Sequence, residues 1–307
     1  MHEPLSPNAA GEGGLEALEP AFSARQWLLR NRLIRIMVLN PANLLGLFLV
    51  FLVVTLTVVG PWITPYSPTF PDFTTMLSGP SASHLFGTDS LGYDIFSRVL
   101  AGARLSIGTA AAVLAIASIF GLTLGAISGW FGGWVDELIM RVTDMFLAFP
   151  ILILALAVGI TLGSGLTSAT IALAVGFWPW YTRLMRGQVL SLKNREYVEA
   201  ARSLGVSDVG IIWRHVFPNA LSPIIVELSL DMGYAVLDIA ALSFIGLGAQ
   251  QPSPEWGAMI VAGKDNLRTA WWTCTFPGLA LTIAVLGFNL VGDGLRDALD
   301  PRSKKHA

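Results

Sequence analysis

Residues 196–220 read EYVEAARSLGVSDVGIIWRHVFPNA, a charged block between two strongly apolar segments. Tyr197, Ala200, Ala201 and Leu204 stand at i, i+3, i+4 and i+7, which makes one narrow face of a short helix. The two alanines at its centre let another backbone come close. Glu196 opens the helix, Glu199 and Arg202 flank the face, and Arg195 lies within i,i+4 reach of Glu199. Gly205 suits a left-handed helix stop. Ser207 can cap a second helix, with Asp208 at its positive end. In that helix Val209, Ile212, Trp213 and Val216 repeat the apolar spacing, His215 sits at an interface, and Pro218 is expected to end it. Two readings are open: an amphipathic pair resting on lipid headgroups, or a knob that docks in a groove of another protein.

The surrounding chain decides what such a block is attached to. The 307 residues are 53% hydrophobic and 13% charged, with mean hydropathy +0.62. A soluble domain carries about 25% charged residues, so lipid is the expected solvent. A net charge of -2 identifies no partner. Cys274, the single cysteine, excludes an intrachain disulfide and any multi-cysteine metal site; it reads as a small buried apolar residue.

A bilayer core of about 30 Å needs about 20 apolar residues in a helix. Six runs meet this: 42–63, 105–130, 144–163, 168–189, 221–246 and 274–294. Pro179, between Trp178 and Trp180, predicts a kink in the fourth. Residues 1–24 form a polar, Gly/Pro-rich tail with no signal-peptide pattern; 25–41 is a basic segment, 42–300 the membrane domain and 301–307 a second tail.

With both termini cytoplasmic, the inside collects 15 lysines and arginines and the outside only Arg98, Arg104, Lys264 and Arg268. The loops 64–104 and 247–273 then lie outside, and the loop 190–220 lies in the cytoplasm. Gly121, Gly125 and Gly129 make a small-residue ridge for close approach, either within this chain or to a second membrane subunit.

The block 196–220 resembles the EAA motif of ABC importer permeases through Glu199, Ala200, Ala201, then Gly205, then Phe217 and Pro218, with phenylalanine where leucine is usual. EYVEAARSLG (196–205), HLFGTDSLGYDIFSR (84–98), RHVFPN (214–219), LSFIGLG (242–248) and PSPEWG (252–257) narrow the likeness. They are similar to the second permease subunit of the dipeptide/oligopeptide/nickel importer family, which usually has arginine where Tyr93 stands.

The resemblance implies a type I importer permease of the bacterial inner membrane, all-α, with six transmembrane helices and no chemistry of its own. Its expected partners are a homologous second permease, two ATP-binding subunits that hold ATP and Mg, and an extracytoplasmic substrate-binding protein. The coupling element carried over is Glu196, Tyr197, Glu199, Ala200, Ala201, Arg202, Leu204 and Gly205, with His215 and Pro218 behind it. Di- or oligopeptides are the implied cargo, with nickel complexes and haem-like or glutathione-like cargo open.

Glu227, Asp231 and Asp238 lie in the fifth run on one broad face. A charge at mid-bilayer costs at least about 2.5–3.5 kcal/mol, so the three either line a translocation path or bond to a neighbouring helix. They also support a rival reading, an ion-coupled secondary transporter. An intramembrane hydrolase is disfavoured, because His2, His84, His215 and His306 all fall outside the runs. No G-x-x-x-x-G-K-[ST] occurs, so any ATPase must be another polypeptide.

Overall fold

The computed structural model describes residues 32–299. The expected tails 1–24 and 301–307, and the basic segment before Arg32, lie outside the described residues. A short helix α1 (Arg32–Leu39) is separated from α2 (Pro41–Val59) by Asn40. The Asn40 side chain accepts from the Ala42 amide at 3.0 Å, and Pro41 opens α2 where no donor is needed. Outward-facing Leu44, Phe48, Phe51 and Val58 give α2 a surface suited to hydrocarbon.

Helix α3 (Ile95–Phe131) has 37 residues and begins ten positions before the run expected at 105. The added turns come from Asp94, whose Oδ2 accepts from the Ser97 amide at 2.8 Å and fixes the start. The ridge of Gly121, Gly125 and Gly129 lies against α6 (Leu166–Leu192). A Cβ at Gly125 would stand 2.4 Å from the Thr182 carbonyl oxygen. The ridge therefore serves packing within the chain.

The run 144–163 is not one helix. It divides into the end of α4 (Gly133–Leu147) and α5 (Ile151–Leu162), whose axes differ by 90°. Pro150 supplies the break, because it lacks an amide donor and biases Phe149 away from the helical basin. The 12 residues of α5 rise only about 18 Å, less than a bilayer core. Pro179, in contrast, is accommodated inside α6.

A turn of α7 (Glu196–Ser203) and α8 (Asp208–Ile211) leads to α9 (Phe217–Phe244), followed by α10 (Trp256–Gly263) and α11 (Trp272–Leu299). Three described helices are long and apolar enough to cross a membrane, or four if α4 and α5 count as one bent span. The expected six are thus not six uniform apolar helices. Helices α6 and α9 have the length, at 27 and 28 residues, but α9 carries three acids and α6 two arginines.

The helix ends beside the loops 64–94 and 247–255 are tied by buried polar groups. Arg98 is 1% exposed, donates to the carbonyls of Pro68 and Ser253 and to Gln251 Oε1, and stands 4.3 Å over the Tyr93 ring. Burial pushes the Asp89 carboxyl above its ordinary value, against the amides of Leu91 and Tyr93 and the charge of Arg98. Glu255 is also buried and caps α10, accepting from the Gly257 and Ala258 amides and from Ser106.

Candidate functional site

Helix α7 follows Arg195, whose extended backbone starts the turn without a side-chain cap. Its end is a Schellman motif. The Gly205 amide donates to Arg202 O at 3.0 Å and the Val206 amide to Ala201 O at 3.2 Å. Gly205 adopts φ +79°, the left-handed basin that glycine occupies without a Cβ penalty. Glu196 and Glu199 lie in the first turn and Arg202 in the last, the order the helix dipole favours.

The expected face divides in two. Tyr197, Ala200 and Leu204 are exposed, Leu204 at 84%, together with Glu196, Glu199 and Arg202. Ala201 turns inward beside Val198, so it anchors the helix and does not belong to the outer face. The pair packs with Trp130 of α3, Met185 and Val189 of α6, Val216 just before α9, and Ala220 and Ile224 in its first turns. Arg202 also stands over the Trp130 ring at 5.4 Å. Periodicity alone could not choose between Ala200 and Ala201, because each completes an apolar spacing; the inward pull of Val198 decides it.

Ser207 caps α8 by accepting from the Gly210 amide at 3.3 Å, with Asp208 in the first turn. Pro218 does not end a helix. It sits in the first turn of α9, and residues Ile212–Val216 widen into a π turn in which the Phe217 amide donates to Ile212 O. A proline inside a regular helix forfeits one bond and crowds the carbonyl four residues back. The wider turn relieves both, so α8, the π turn and α9 form one continuous rod. His215 is half-buried in this turn, and its carbonyl accepts from the Asn219 side chain at 2.6 Å.

A polar cluster that the sequence reading missed braces the same end. Arg186 of α6 grips Asp136 of α4 through Nε at 2.6 Å and a terminal nitrogen at 2.7 Å, and Ser128 of α3 donates to the same carboxylate. Lys193 Nζ donates to Gly129 O at 3.1 Å. The available signal was the charge of α4, which no uniform span would carry.

The three acids of α9 have separate surroundings. Tyr181 of α6, fully buried, donates its hydroxyl to Asp231 Oδ2 at 2.7 Å. Asp238 is half-buried and makes no hydrogen bond within the described residues. Glu227 lines a cavity of ≈ 600 Å³ between α6, α9 and α11. The structure therefore does not gather them around one point. Among the described residues no group of three or more His, Cys, Asp or Glu is placed to hold a metal ion.

Residues 121–305 match the family described as binding-protein-dependent transport system inner membrane component. Residues 30–80 match the N-terminal TM domain of oligopeptide transport permease C. The chain is 42% identical over 302 residues to the dipeptide transport system permease protein DppC of Alkalihalophilus pseudofirmus, covering 98% of this chain and 96% of that protein. It is 44% identical over 264 residues to the probable D,D-dipeptide transport system permease protein DdpC of Escherichia coli (strain K12), covering 86% and 89%. The glutathione transport system permease protein GsiD of Escherichia coli O157:H7 is 45% identical over 260 residues, covering 84% and 86%. Among solved structures, an inward-facing form of the MetNI methionine ABC transporter aligns with TM-score 0.54 at 18% identity, covering 66% of this chain and 97% of the matched one. That last likeness concerns the fold alone.

Proposed function

The chain belongs to the family of binding-protein-dependent inner-membrane transport components, and from this premise we propose that it is a peptide-importing ABC permease subunit driven through α7. It is a multi-pass membrane protein. In our reading α6 and α9 cross the bilayer with the more apolar helices, both termini are cytoplasmic, and a homologous second permease completes the translocation path. Two separate ATP-binding subunits hold ATP and Mg, and an extracytoplasmic binding protein delivers the cargo. Dipeptides or short oligopeptides are the cargo class, in line with the names of the relatives.

One observation carries the coupling assignment. The outer side of α7 offers Tyr197, Glu199, Ala200, Arg202 and Leu204 to the exterior, while Val198 and Ala201 are locked into the base of α3, α6 and α9. A partner that seats on the exposed side and moves must drag those three helix ends. Glu199 is the polar contact we assign to the ATP-binding subunit, and Gly205 holds the two helices of the loop at their angle. An ion-coupled carrier needs no such element, and the family does not favour that reading.

The test is Gly205→Val in the reconstituted complex. A β-branched residue in the left-handed basin costs about 1–2 kcal/mol, so the turn must open and α7 must swing. Substrate-stimulated ATP hydrolysis and uptake are expected to fall together, while assembly with the ATP-binding subunits persists. Uptake at the normal rate would remove α7 as the coupling element.

A further inference from the structure

The cavity beside Glu227 carries an opposed pair of charges that coupling does not use. Glu227 of α9 and Arg296 of α11 line it, with Asn219 and Ser222 as neutral polar groups and Leu184 and Leu230 as apolar walls. The helix register brings the two charges to one level. Gly233 lies against Asn289 and Gly292 against Leu230, so antiparallel α9 and α11 set Glu227 beside Leu295 and Arg296. Yet the two do not pair. Among the described residues neither makes an ion pair or a hydrogen bond, and the Ser222 hydroxyl makes none either. Asn219 spends one N–H on the His215 carbonyl and keeps its other N–H and its oxygen.

An acid and a base that line one cavity of ≈ 600 Å³ without pairing leave room of small-ligand size. We propose that this cavity binds a zwitterion, with its ammonium group at Glu227 and its anionic oxygens at Arg296, and with Asn219 and Ser222 supplying neutral hydrogen bonds. Both end contacts are charge-assisted, and guanidinium suits a carboxylate or phosphate by geometry as well as charge. The same chemistry has two sources: a short peptide with free termini, or the headgroup of phosphatidylethanolamine. The peptide source rests on the import reading above.

The experiment uses the intact complex in nanodiscs of phosphatidylcholine and phosphatidylglycerol, without nucleotide or binding protein. Calorimetry measures glycylglycine, its N-acetyl form and its C-terminal amide. Glu227→Gln is expected to weaken glycylglycine roughly tenfold and to leave the N-acetyl form as in the parent; Arg296→Gln does the same for glycylglycine and spares the amide.

This crossed pattern is one that mere loss of packing does not produce. In a second arm, discs with phosphatidylethanolamine are analysed by native mass spectrometry; a headgroup ligand is retained by the parent and lost from both variants. The crossed pattern assigns the peptide, selective retention assigns the headgroup, and absence of both overturns the site. Substrate-stimulated ATP hydrolysis by the unsubstituted complex, measured with binding protein, keeps the two conclusions apart. If it persists while both arms fail, the site alone is wrong; if it is absent, the import reading fails.

Discussion

Arg98 lies one turn into α3, is almost wholly buried, and reaches two loops that are far apart in sequence: Pro68 on one side, Gln251 and Ser253 on the other. Among the described residues its Nε has no partner, and its guanidinium stands 4.3 Å over the Tyr93 ring. An aromatic ring under the guanidinium offers its electron-rich face to a cation that little water reaches. Removing the side chain in Arg98→Ala takes the donor from the half-buried Pro68 and Ser253 carbonyls and from the Gln251 side-chain oxygen, and empties the space over Tyr93. The expected cost is about 1–3 kcal/mol of stability. Arg98→Lys should recover little of it, because an ammonium cannot fork toward both loops. Thermal unfolding in detergent checks both, and a midpoint within a degree of the parent for Arg98→Ala would refute the clasp. Along the sequence Arg98 counted only as one of four outer cations. Its burial was illegible because the residues that cover it come from loops about 30 and 155 positions away.

Helices divide into those whose partners the sequence announces and those it does not. The spacing of Gly121, Gly125 and Gly129 declares a close approach, and the backbone of α6 fills it. Gly125→Val should therefore destabilise by about 1–3 kcal/mol, since the new methyls meet the Thr182 carbonyl and neither helix can retreat alone. Gly108→Ala, on the same helix with nothing within 4 Å of its Cβ position, should be neutral or stabilising. Equal losses in the two variants, read by thermal unfolding, would mean that helix propensity and not the crossing sets the effect. The loop 190–220 was legible in the same way: the stop at Gly205 and the cap at Ser207 are local chemistry, and both formed. The bent α4–α5 pair and the π turn before Pro218 were not. An apolar run reports burial in lipid but not the direction of its axis, and a proline reports a missing bond without saying whether the chain breaks, as at Pro150, or widens, as before Pro218.

At the scale of the molecule, α9 is the part that touches both ends. Its 28 residues rise about 42 Å. Its first turns share a core with Val198 and Ala201 of α7. Near its far end Ala240 meets Gly257 of α10, and the Leu242 carbonyl accepts from the Leu247 and Gly248 amides. A rod joined to both ends cannot be displaced at one without a response at the other, so under the proposed coupling a nucleotide-driven motion of α7 is expected to alter what faces Tyr234 and Leu237, which this chain leaves exposed. In a Cys274→Ala background, Leu237→Cys in the full complex is expected to change its rate of thiol labelling when ATP is trapped, while Phe51→Cys on the outer face of α2 keeps its rate. Adding Gly205→Val should abolish the change at position 237 without altering labelling in the nucleotide-free state. A Leu237→Cys rate indifferent to nucleotide, in a complex that hydrolyses ATP and transports, would mean that force leaves the coupling loop through α3 and α6 and bypasses α9.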